Sequence, residues 1–97
     1  MLGSIDVVML TKNSENLLKE CLTSIYENVP VNRLIVVDGS STDKTLNILS
    51  EVNEDYENVK VLTENGSRAQ ARERGIREVK TEWFMFVDSD VILCKDW

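Results

Sequence analysis

Ninety-seven residues make one small domain, long enough for a single core and too short for two. Hydrophobic residues at 42%, charged residues at 29%, one Pro and four Gly exclude a disordered, collagen-like or linker-rich chain. The 17 acidic against 11 basic residues set a formal net charge of −6, which argues against nucleic acid as a partner. The absence of His excludes Ser–His and Cys–His catalysis and leaves carboxylates, hydroxyls, Lys, Arg or a metal to carry any chemistry.

In chain order, Ile5-Asp6-Val7-Val8-Met9-Leu10 is short, apolar and β-branched, and predicts a buried strand. Thr11-Lys12-Asn13-Ser14 breaks it with cap-type residues. Leu17, Leu18, Cys21, Leu22 and Ile25 then recur on one helical face, ended by Pro30. Leu34-Ile35-Val36-Val37 predicts a second strand, stopping at Asp38-Gly39-Ser40. Ser41 or Thr42 is the expected cap of a second helix carrying Leu46, Leu49 and Val52, and the acidic stretch from Glu51 to Glu57 predicts a solvated loop.

Val59 to Leu62 predicts a third strand and Asn65-Gly66 a turn. Ser67-x-x-Gln70 has the form of a capping box, opening a third helix to about Val79. Glu82 to Val87 predicts a fourth strand, followed by Asp88-Ser89-Asp90. The order βαβαβαβ implies an α/β domain: a three-layer α/β/α, Rossmann-like parallel sheet of about four strands. Two distant cysteines, Cys21 and Cys94, make no disulfide framework. The N-terminus lacks the pattern of a signal peptide, and no apolar run approaches the ~20 residues of a membrane helix. A cytoplasmic protein is expected, with peripheral membrane contact left open.

Ligands of parallel sheets sit beyond the carboxyl ends of the strands. There the chain places Thr11 and Asn13, Asp38, Arg68 and Asp88-Ser89-Asp90. Paired carboxylates one residue apart suit Mg2+ or Mn2+ shared with a diphosphate, and they also suit a plain polar turn. Asp38 before Gly39 could accept hydrogen bonds from a ribose or base, or simply end a strand. Asn13 could contact a nucleotide or cap the first helix. Arg68 and Arg72 lie one turn apart on the third helix, and Arg forks suit phosphate oxygens. Arg74 and Arg77 read as a solvated face paired with Glu73 and Glu78. Asp6, inside a strand, calls for a local hydrogen-bond explanation.

In combination these motifs are more specific than any one of them. Thr11-Lys12-Asn13, Val36-Val37-Asp38-Gly39-Ser40-Ser41-Thr42-Asp43, Ala71-Arg72-x-x-Gly75 and Phe86-Val87-Asp88-Ser89-Asp90 occur in order and resemble the nucleotide-binding half of family 2 glycosyltransferases, which have the GT-A fold. The resemblance covers essentially the whole chain. It implies a nucleotide-diphosphate sugar (UDP- or GDP-sugar) as ligand and Mg2+ or Mn2+ as cofactor. By analogy Thr11 and Asn13 line the nucleoside pocket and Asp38 holds base or ribose. Arg68 and Arg72 border base and diphosphate. Asp88 and Asp90 form the Asp-x-Asp motif, with Asp88 toward the ribose and Asp90 on the metal.

The chain departs from the family at Gly39, where many relatives carry a second Asp, and at Glu73, where they carry Asn. The family's acceptor site and catalytic base lie downstream of the Asp-x-Asp motif, so no residue here is assigned as the base. Residues 1–97 are thus expected to be one N-terminal GT-A domain lacking the acceptor-binding portion. The alternative is a truncated, non-catalytic nucleotide-sugar-binding or assembly domain acting as a homodimer or with a partner chain. A phosphotransferase of the haloacid dehalogenase type fits less well, because its Asp-x-Asp follows the first strand. A fourth strand left at the sheet edge invites pairing, so a homodimer through Trp83 to Val87, with Trp97 in the contact, is expected.

Overall fold

The computed structural model describes residues 3–90. Cys94 and Trp97 lie outside them. Four strands and three helices alternate: β1 (Ile5–Thr11), α1 (Glu15–Asn28), β2 (Val31–Asp38), α2 (Thr45–Tyr56), β3 (Val59–Thr63), α3 (Arg68–Arg77) and β4 (Phe84–Phe86). The sheet is parallel throughout, in the order β3-β2-β1-β4. The α/β order expected of the sequence is therefore the order observed. Among the described residues no helix is long and apolar enough to cross a membrane.

The two inner strands, β1 and β2, are apolar on both faces because both faces are covered. Val7, Met9, Leu34 and Val36 join Leu18, Cys21, Leu22, Ile25 and Leu49 in a core under α1 and α2. Tyr26 and Tyr56 stack across these two helices with ring centroids 3.8 Å apart. On the other face α3 lies close to the sheet. A Cβ on Gly75 would stand 2.6 Å from Val8 Cγ1 and 3.2 Å from Val37 Cγ2, so this approach requires glycine.

Several local expectations are corrected. Residues 51–56 are the second half of α2 and only Glu57 leaves it, with φ 56°. The acidic side chains there are the solvated face of a helix that Leu49 anchors. Neither Ser41 nor Thr42 caps α2. Asp43 Oδ1 accepts from the Thr45 N–H at 2.9 Å, so the carboxylate satisfies the first turn. Asn13 does not cap α1. Its φ is 48°, and its Oδ1 accepts from Thr42 N–H at 2.8 Å and Asp43 N–H at 3.3 Å. The capping box at Ser67 and Gln70 is present, but α3 ends at Arg77 rather than Val79. β4 is confined to Phe84–Phe86, and Leu17 is 40% exposed on α1 rather than buried with its neighbours.

Asp6 is fully buried at the start of β1, at the opposite end from the polar strand termini. Its Oδ2 accepts from the Lys80 N–H at 2.7 Å and its Oδ1 from Asn32 Nδ2 at 2.7 Å, with Arg33 3.4 Å from Oδ2. Its backbone N–H donates to Thr81 Oγ1 at 3.0 Å. This is the local hydrogen-bond explanation a buried carboxylate requires. It ties β1, β2 and the α3–β4 connection together.

Candidate functional site

The parallel register brings the ends of β1 and β2 side by side, with Thr11 opposite Asp38. Thr11 Oγ1 donates to Asp38 Oδ1 at 2.6 Å. The loop after β2 then folds back. Ser41 donates to the same carboxylate through its N–H at 2.8 Å and its hydroxyl at 2.6 Å. Asp38 is 1% exposed. Its charge is offset by these three donors, and it holds the β1 and β2 loops in one geometry. Ser41 Oγ also accepts from the Asn13 N–H at 2.8 Å, so the loop carrying Thr11 and Asn13 is fastened at both ends.

The β4 end is fastened to α1. Ser89 Oγ bonds Ser14 Oγ at 3.1 Å, and Cys21 Sγ lies 3.5 Å from the Asp88 carbonyl oxygen. Asp88 and Asp90 are consequently set on the wall of a cavity of about 380 Å3 above the sheet. Asn13, Asn16, Leu17 and Arg68 line the rest of it, with Leu10 and Ser14. Exposed Leu17 is thereby accounted for as cavity wall. A second cavity of about 250 Å3 shares Leu10, Ser14, Arg68 and Ser89 with the first. It extends over Thr11, Lys12, Gly39 and Glu64 to Ser67 and Ala71. Both lie at the carboxyl ends of the strands, as parallel sheets require.

Five of the seven residues expected at the site meet at these two connected cavities: Thr11, Asn13, Arg68, Asp88 and Asp90. Asp38 stands beneath them, bonded to Thr11. Arg72 does not join the lining. Its guanidinium lies 4.7 Å from the centroid of the Phe86 ring, a cation–π contact between α3 and β4. Lys12 and Ser89 are lining residues that the sequence reasoning did not single out. Their signal was present, because each sits inside a segment that was.

Residues 6–97 match the family described as Glycosyl transferase family 2. The chain belongs to that family. Among its relatives is the poly(ribitol-phosphate) beta-glucosyltransferase of Bacillus spizizenii, 38% identical over 92 residues that cover 89% of this chain and 14% of the relative. The structure of S. aureus TarS in complex with UDP superposes with TM-score 0.79 at 30% identity, covering 95% of this chain and 29% of that one. The mannosyltransferase PcManGT from Pyrobaculum calidifontis, in complex with GDP-Man and Mn2+, superposes with TM-score 0.83 at 25% identity, covering 99% and 30%. The fold is that of GT-A glycosyltransferases, and the chain spans less than a third of these three relatives.

The PcManGT structure holds Mn2+, so the fit of these residues to a divalent metal can be asked. Among the described residues no group of three or more His, Cys, Asp and Glu could hold a metal by itself. Asp88 and Asp90 nonetheless offer hard oxygen donors on the cavity wall, and no Lys or Arg among the described residues is ion-paired to either. Two carboxylates with no described cation paired to them fit a metal whose remaining positions are filled by water and substrate phosphates, the usual arrangement for Mg2+.

Proposed function

We propose that this chain is the donor-binding part of a glycosyltransferase, holding a UDP- or GDP-sugar through a divalent cation for transfer of the sugar to an acceptor. The observation that carries this is the meeting of Asp88, Asp90 and Arg68 on one cavity at the carboxyl ends of a parallel sheet.

Thr11 and Asn13 face the nucleoside. Asp38 supports that end from beneath: it fixes Thr11 and Ser41, and so the shape of the nucleoside end. Arg68 stands on the wall common to both cavities, where its fork can engage diphosphate oxygens. Asp88 and Asp90 hold Mg2+ or Mn2+, with Asp90 the principal ligand. The cation supplies Lewis-acid neutralisation of the diphosphate leaving group. The acceptor and its base are not assigned to any residue of this chain.

Calorimetry with UDP and with GDP, each with and without Mn2+, tests the reading. Binding is expected to be strengthened by the metal, and Asp90→Ala is expected to remove that gain. Equal binding by Asp90→Ala eliminates the metal site. Failure of both nucleotides to bind favours the alternative of a non-catalytic assembly domain.

A further inference from the structure

The two cavities carry opposite charge. The carboxylates of Asp88 and Asp90 line only the larger one, whereas Lys12 lines only the smaller and Arg68 lies on the wall they share. Among the described residues neither Lys12 nor Arg68 has a carboxylate within ion-pairing distance. Glu64, the acidic residue on the smaller cavity, has its Oε2 3.3 Å from the Gly66 N–H, which it accepts from within its own turn.

Lys12 is also positioned. A Cβ placed on Gly39 would meet Lys12 Cδ at 3.3 Å and its Cβ and Cγ at 3.6 Å. The aliphatic stem of Lys12 therefore lies along the bare backbone of Gly39, and both residues line the smaller cavity. A side chain at residue 39 would press on this stem. The whole chain carries a net charge of −6, so these two cations are a local reversal of a repulsive field.

We propose that Lys12 and Arg68 form a cationic clamp for the diphosphate that works without the metal. The site then has two independent holds on one ligand: a cation-dependent one through Asp88 and Asp90, and a direct one through Lys12 and Arg68. Gly39 is the residue that makes room for Lys12. This rests on the functional reading above and adds a metal-independent component to it.

Titration calorimetry of the full chain with UDP and with inorganic pyrophosphate, in EDTA and in Mn2+, tests the clamp. In EDTA both probes are expected to bind weakly, more weakly still as salt is raised. Lys12→Gln and Arg68→Gln are each expected to lower that metal-free affinity about tenfold, the effect of one charge-assisted contact. Lys12→Arg should restore it, and Lys19→Gln, on α1 away from both cavities, should leave it unchanged. Metal-free binding that is absent, or equal in Lys12→Gln and the parent, while Mn2+–UDP still binds overturns the clamp and spares the functional reading. Absence of binding in both arms overturns both.

Discussion

Thr11 and Asp38 end neighbouring strands, face each other in register, and are joined by a 2.6 Å hydrogen bond at a point where Asp38 is 1% exposed. The carboxylate for which the sequence left open a ligand contact or a strand-end role is buried and holds three protein donors. Its three donors come from Thr11 and Ser41, on the two loops that shape the nucleoside end.

Removing one partner should therefore be felt first in stability. Thr11→Val keeps the shape, deletes one donor to a buried charge, and should cost about 1–3 kcal/mol. Asp38→Ala frees Thr11 and Ser41 together and should cost more, besides loosening nucleotide binding. Urea unfolding of both variants checks this. A Thr11→Val curve identical to the parent's would mean that the bond contributes nothing.

Gly75→Ala sets two effects against each other. Alanine is the better helix former by about 1 kcal/mol. The new methyl would stand 2.6 Å from Val8 Cγ1, on an inner strand whose position is fixed by neighbours on both sides. Overpacking of this kind costs about 1–3 kcal/mol, so the variant should be less stable than the parent. A raised thermal midpoint would show that α3 can lift off the sheet at little expense.

The architecture was legible because each strand is a short apolar run and each helix a distinct period, and parallel order follows from their alternation. The half of α2 beyond Glu51 was hidden because its outward residues are acidic, and a solvated helix face and a loop look alike in composition. At the site, Asp88, Asp90 and Arg68 could be placed from their positions after strands. Two partnerships could not. Asp38 meets Thr11 across 27 residues of sequence through strand register, and Arg72 meets Phe86 because α3 packs on β1, the neighbour of β4. Both depend on tertiary contacts that no local pattern carries.

Acid should expose the Asp6 network. Burial alone would raise its carboxyl pKa, but the Lys80 N–H, Asn32 and Arg33 outweigh it and hold the group below its ordinary 3.8. The unfolded chain then binds the proton more readily than the folded one. The stabilisation is complete above pH 3.8 and is lost as pH falls through the lower folded value. Asp6→Asn turns a donor either toward the Lys80 N–H and the Arg33 side chain or toward Asn32 Nδ2, and should destabilise the protein by about 1–3 kcal/mol at neutral pH. Its stability should also fall less steeply than the parent's below pH 3.8. Parallel acid limbs in the two proteins would remove Asp6 as the titrating group.

The last prediction concerns the open side of the sheet. Among the described residues β4 pairs only with β1, which leaves its other edge without a strand. Beside that edge Trp83 is 71% exposed and Phe84 41%, an apolar surface adjoining backbone groups that no described strand pairs. We propose that two copies of this chain associate through this edge, burying both aromatic rings. Sedimentation equilibrium should give a dimer that Trp83→Lys, a change confined to a residue outside any strand, shifts toward monomer. Phe84→Lys should act in the same direction while leaving the inner strands intact. A parent protein that stays monomeric at high concentration would rule the association out.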